Sequence, residues 1–263
     1  IASPCLDVQR GGAEIGWSHS MIVQDGMEDV DRQSLVLPHE DIVKLVMGVN
    51  PRTVLLMVTT FPYAIRWSKD HVPAIVQCTH GSEEMGHGVA DVLLGKVNPA
   101  GRLTQTWPER IEDLPPITDF DLTKGRTYLY AKAKPLFCFG HGLSCTSFKC
   151  SGLKVSAPED GMVRVAVDVT NTGAVDGDEV VQIYLQYPRS RPNRPERQLR
   201  GFKRVSIPAG QTVRVEIPIA VSDLKYWSEK DHGWTLAPGR YRFLAGASSA
   251  DIRKRSSCRL SQE

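Results

Sequence analysis

Met162-Val163-Arg164-Val165-Ala166-Val167-Asp168-Val169 places valine at every second position. Side chains alternate across a strand, so this pattern buries one face and wets the other. The same period returns in Val180-Val181-Gln182-Ile183-Tyr184-Leu185, in Thr212 to Ile219, and in Arg240-Tyr241-Arg242-Phe243-Leu244-Ala245-Gly246. Between these runs lie Asn171-Thr172-Gly173, Pro208-Ala209-Gly210 and Ala237-Pro238-Gly239. Short alternating strands broken by Gly and Pro turns specify a β-sandwich. Its inward residues are expected to include Val165, Val167, Val181, Ile183, Val215 and Ile217.

Upstream the period changes. Ile42, Leu45, Val46 and Val49 have i, i+3, i+4, i+7 spacing, the stripe of an amphipathic helix. Pro38 suits its first turn, and His39-Glu40-Asp41 puts acid at its positive end. Asn50-Pro51 stops it. Thr53 to Val58 is a nearly continuous apolar run, which fits a strand buried on both faces. Ala74 to Cys78 reads as the next strand. A helix capped by Ser82 follows through Glu83-Glu84-Met85, with Val89, Ala90, Val92 and Leu93 as its stripe and Gly95 as its stop. Helix, strand, strand, helix with short connections reads as an α/β layered sheet. Ser, Gly, Pro and charge collect from Cys150 to Asp160, so the boundary is placed there, giving domains 1–150 and 151–263.

The chain has 263 residues, 41% hydrophobic and 24% charged, and a net charge of +2. That is enough to bury a substantial core without metals or disulfides. The charges are mixed in sign, so no field points to nucleic acid. The densest basic run, Arg189 to Arg204, contains Pro192 and Pro195 and reads as a solvated loop. No apolar run approaches the ~18 residues that span a bilayer. Ile1 is followed by no basic or apolar leader, which suggests an internal or processed piece. None of the six cysteines forms a CxxC pair; free, partly buried thiols are expected, with disulfides the open alternative that the compartment decides.

Several blocks, in order, resemble glycoside hydrolase family 3, the β-glucosidases and β-xylosidases. They are Glu28-Asp29-Val30-Asp31-Arg32 with Ser34-Leu35-Val36-Leu37-Pro38; Ala90-Asp91-Val92-Leu93-Leu94-Gly95; Asn98-Pro99-Ala100-Gly101-Arg102-Leu103; and Thr106-Trp107-Pro108. Gly125-Arg126-Thr127-Tyr128 and Phe139-Gly140-His141-Gly142-Leu143-Ser144 follow. Val169 to Gly173, Gly177-Asp178-Glu179-Val180-Val181-Gln182 and Leu199 to Val205 are similar to the fibronectin type III-like module at that family's end. The resemblance implies an α/β layered sandwich domain followed by an all-β fibronectin type III-like sandwich. His141 and Cys145 stand where the family often has Tyr, Gly81-Ser82-Glu83-Glu84 replaces a more glycine-rich turn, and the first 25 residues match poorly.

The resemblance also implies a chemistry. Retaining hydrolysis of terminal β-D-glucosides or β-D-xylosides uses one protonated and one ionised carboxyl. Glu28 matches the family's general acid/base, and Glu14 is the second candidate. The family's nucleophile is an Asp on an N-terminal β/α barrel, for which this chain has no room. The expected partners are therefore a carbohydrate substrate and the barrel domain of the same enzyme, with no cofactor, metal, nucleic acid or membrane. The sequence itself does not specify a compartment; the resemblance is compatible with an extracellular or lysosome-like one. The competing class is a non-catalytic carbohydrate-binding or scaffolding module. One further constellation, His80, Glu83, Glu84 and His87, has spacing that would share a helical face. It lacks the closed ligand set of a metal site and reads as a polar helix start. Neither G-x-S-x-G nor a phosphate-binding glycine loop occurs.

Overall fold

The computed structural model describes residues 37, 39–116 and 118–261. These divide into two compact units that interleave along the chain. One takes in the described residues up to Ala90 with Gln105–Pro115 and Ala133–Phe137, and the other the described residues of Asp91–Thr104, of Pro116–Lys132 and from Cys138 onward.

The first unit is α/β. Helix α1 spans Glu40–Val49 and strand β1 Val54–Val58; helix α2, Arg66–His71, leads to strand β2, Ala74–Cys78. β1 and β2 pair in parallel from Val54 opposite Ala74 to Val58 opposite Cys78. A parallel pair needs a crossover, and α2 lies within it. Six residues of α2, Arg-Trp-Ser-Lys-Asp-His, are too few for a period to show, so the sequence reading passes over this helix. α1 ends as expected at Asn50, whose backbone is extended before Pro51. Its buried residue is Val43, whereas the stripe Ile42, Leu45, Val46 and Val49 is 44–88% exposed. β1 likewise buries Leu55 and Met57 on one face while Val54 stays exposed. The expectation of burial on both faces is corrected to one face among the described residues. Helix α3 spans Met85–Leu93, starting later than the Ser82 cap implies.

The second unit is a β-sandwich. Its strands are β3 Phe148–Val155, β4 Met162–Asn171, β5 Gly177–Gln186, β6 Gln198–Ile207, β7 Thr212–Ala220, β10 Gly239–Gly246 and β11 Ile252–Leu260. A short hairpin, β8 Tyr226–Ser228 with β9 Gly233–Thr235, precedes β10. One sheet has the order β11-β10-β5-β6 and the other β3-β4-β7. All six residues named as inward are buried, and Val163, Val169, Ile219, Tyr241 and Phe243 join them in one core between the sheets. Each such Val, Ile or Phe contributes about 1.5–3 kcal/mol by leaving water. β3 runs through the stretch where the sequence places the domain junction. The basic run is corrected in part. Residues 198–204 of it are strand β6, and only the portion before Gln198 is loop.

Candidate functional site

Glu28 and Glu14, with Asp31, Arg32 and Pro38, lie outside the described residues. Leu37 is buried, and α1 begins at Glu40. The acid at the start of α1 has a structural partner. Glu40 accepts bonds from the buried Ser68, 3.0 Å from its amide nitrogen and 2.7 Å from its hydroxyl, which ties α1 to α2. Lys69 on α2 donates to the carbonyl of Leu136 at 3.0 Å, and Trp107 packs edge-on against Phe137. The Thr-Trp-Pro block thus serves the packing of this unit.

His80, Glu83 and Glu84 precede α3, and only His87 lies on it. The shared helical face inferred from their spacing is therefore corrected. His87 Nδ1 sits 2.5 Å from Glu84 Oε2, with both side chains in solvent. Among the described residues no three His, Cys, Asp or Glu side chains converge as a metal-ligand set. Cys78, Cys145, Cys150 and Cys258 are free thiols, and burial raises the Cys150 thiol above its ordinary value.

In the β unit the recurrent sequence blocks meet. Glu179 is 2% exposed, at the core-facing side of β5. Its carboxylate accepts bonds from Arg102 at 2.7 Å, Arg253 at 3.3 Å and the Val180 amide at 2.9 Å. A buried carboxylate is tolerated only when paired and hydrogen-bonded in this way. Arg253 also donates to the carbonyl of Phe148 at 3.1 Å. Beside this pair, Asn98 accepts from the Ser144 hydroxyl and the Cys145 amide at 2.9 and 2.8 Å, and its own amide donates to the Asp176 carbonyl.

The opposite face of β5 holds Gln182 and Tyr184. The Tyr184 hydroxyl donates to Gln182 Oε1 at 2.6 Å, and Gln182 Nε2 donates to the carbonyls of Gly140 and Ala247. Burial pushes the Tyr184 hydroxyl far above its ordinary pKa, so it remains a donor. Gly140 has φ +80°, and a Cβ there would lie 2.1 Å from Gln182 Oε1. At Gly142 a Cβ would meet the Gly101 carbonyl at 2.2 Å. These contacts explain both glycines of Phe139-Gly140-His141-Gly142. His141 joins this seam through its backbone, where its carbonyl accepts from the Leu103 amide at 2.8 Å. Cys145 does so through its amide. The main chain thus makes these bonds at the two positions where Tyr is replaced. Tyr128 stacks on Phe139 with ring centroids 4.5 Å apart, and its hydroxyl accepts from the Leu199 amide at 3.0 Å. None of these polar partners was singled out from the sequence; the blocks containing them were the signal. The arrangement locks backbone to β5 through bonds among Gln182, Tyr184, Asn98 and the main chain.

Comparison with known proteins agrees with this architecture. The model for the glycosyl hydrolase family 3 C-terminal domain matches residues 16–145, and that for a fibronectin type III-like domain matches residues 179–249. A probable beta-glucosidase I of Aspergillus fumigatus is 34% identical over 251 residues, covering 87% of this chain and 30% of the relative. A xylan 1,4-beta-xylosidase of Xylanibacter ruminicola is 34% identical over 230 residues, covering 86% of this chain and 26% of the relative. Among solved structures, a beta-D-glucoside glucohydrolase from Trichoderma reesei aligns with TM-score 0.83 and 28% identity over 92% of this chain and 38% of its own. A beta-glucosidase from Kluyveromyces marxianus in complex with glucose aligns with TM-score 0.79 and 33% identity, covering 90% of this chain and 30% of its own. The chain thus spans about 30% of the length of the curated relatives it matches.

Proposed function

The chain belongs to glycoside hydrolase family 3, and we propose that it is the C-terminal part of a retaining β-glycosidase acting on terminal β-D-glucosides or β-D-xylosides. The observation that carries this reading is the ordered match of both domains to relatives named β-glucosidase and β-xylosidase. The domain division at residues 150 and 151 belongs to the same proposal.

In the proposed mechanism Glu28 is the general acid/base. In the first step it protonates the departing glycosidic oxygen while a carboxylate on the N-terminal barrel of the same enzyme attacks the anomeric carbon. In the second step it takes a proton from the water that releases the sugar. Retaining enzymes hold the two carboxyl groups ≈5–5.5 Å apart, so neither domain suffices alone. The β-sandwich in this reading supports the α/β domain and carries no chemistry.

The test is turnover of aryl β-glucosides and β-xylosides by the purified chain, alone and rejoined to its barrel. The chain alone is expected to be inactive and the rejoined enzyme active. Turnover by the chain alone, lost on changing Glu28, would mean that the active site has been misplaced.

A further inference from the structure

The segment containing Tyr128 and Phe139–Gly140 covers the outer face of the four-stranded sheet around Gln182 and Tyr184. Farther along β5 and β10, at the register pair Gln186 and Arg242, that face opens into a groove of ≈850 Å³. Its walls come from Leu129–Lys132, from the end of β5 into the loop beyond, and from β10. We infer that this groove is a binding site for a carboxylate-bearing oligosaccharide, a uronate in chemical terms.

The first argument is charge. Lys132, Arg189, Arg194, Arg240 and Arg242 line the groove and are all exposed. Its acidic lining residue, Glu196, is already bound by Arg197. Asp121 lies within electrostatic reach of Tyr130, but its carboxylate is held by Thr123. Among the described residues, Lys132, Arg189, Arg240 and Arg242 have no carboxylate partner. The whole chain carries a net charge of only +2, so composition does not account for this concentration.

The second argument is strand register. Arg240 stands directly opposite Arg259 in the β10–β11 ladder. Like charges in that position destabilise a sheet. An anion over Arg240 would offset that repulsion.

The third argument is preorganisation. The Tyr130 hydroxyl donates to the Asn193 carbonyl at 2.6 Å, and the Arg191 guanidinium lies 3.7 Å from the Tyr187 ring centroid. Both contacts hold the walls in place before any ligand arrives, which lowers the ordering cost of binding. Guanidinium groups match carboxylates bidentately, and Gln186 adds a neutral amide suited to a sugar hydroxyl. The choice of a saccharide among carboxylate-bearing ligands rests on the glycosidase reading above.

The test is calorimetric titration of the full chain with a short oligogalacturonate, its methyl-esterified twin and a single-stranded DNA oligomer. The acid form is expected to bind, less tightly as salt rises, while the ester binds far more weakly. Arg242→Ala and Arg240→Ala should each weaken the acid form at least about tenfold, the loss of a charge-assisted hydrogen bond. Lys149→Ala, on the other sheet, should change nothing. No binding of the acid form, equal binding of the ester, or equal loss in Lys149→Ala overturns the assignment. So does DNA bound as tightly through the same arginines, which would make the groove a general polyanion surface. The titration needs no turnover, so its failure is distinguishable from failure of the glycosidase proposal.

Discussion

Arg102 and Glu179 are 77 residues apart in sequence and meet at 2.7 Å with both side chains almost fully withdrawn from water. Arg102 belongs to the Asn-Pro-Ala-Gly-Arg-Leu block and Glu179 to Gly-Asp-Glu-Val-Val-Gln. Two blocks that look ordinary as sequence are thus halves of one buried contact. Removing one member of such a pair leaves an uncompensated charge. Glu179→Ala should therefore cost about 3–5 kcal/mol. Chemical denaturation of the wild type and variant measures it, and a loss below about 1 kcal/mol, the range of a surface pair, would contradict the buried pairing.

Gly140 makes a second, sharper prediction. Its φ of +80° strains any L-residue, and its missing Cβ is replaced in space by Gln182 Oε1. Gly140→Ala should destabilise by more than about 2 kcal/mol, combining a left-handed backbone with a forced shift of Gln182. Gly86→Ala is the matched control, since a Cβ there meets nothing within 4 Å. It lies in α3, where Ala is preferred to Gly, so its stability should hold or rise slightly. Thermal melting of both variants should separate them, and equal melting points would remove the steric account.

Asp178 gives a pH dependence with a definite sign. Bonds from the Ser206 hydroxyl and the Arg204 guanidinium, each 2.6 Å, hold its carboxyl below the ordinary 3.8. A depressed carboxyl stabilises the fold above its unfolded value and loses that contribution as pH falls through the folded one. Asp178→Asn should therefore be less stable than wild type at pH 7, with the gap closing below about pH 4. Denaturant melts at the two pH values test this, and a gap that widens in acid would reverse the assignment.

The β-sandwich was legible because its central strands alternate. Val163, Val165, Val167 and Val169 announce both the strand and its buried face. β11 was not legible, since its sequence, Ile-Arg-Lys-Arg-Ser-Ser-Cys-Arg-Leu, carries Lys254 and Ser256 on the face paired with Ala245 and Phe243. The neighbouring sheet supplies the apolar core that identifies such a strand, and a single sequence does not display its neighbours. β6 was hidden for a related reason. Its ladder with β5 slips between Ile183 and Tyr184, which breaks the period of two. The polar seam was legible only as motif blocks, because Arg102, Asn98 and Gln182 acquire meaning from partners distant in sequence. The groove was half visible, as a basic run without the strand arginines that complete it. Glu28 was reached through the resemblance, and its placement lies outside the described residues.

The measurement that bears most directly on the central claim is the leaving-group dependence of Glu28→Gln in the enzyme rejoined to its barrel. Poor leaving groups need a proton on the departing oxygen, whereas activated aryl groups do not. The variant should lose about 10²–10⁴-fold on cellobiose-type or alkyl glycosides, the usual contribution of general acid catalysis. On activated aryl glycosides the glycosylation step should be nearly unchanged. A small, equal loss on both substrate types would contradict the assignment of the acid/base to Glu28 and move the test to Glu14.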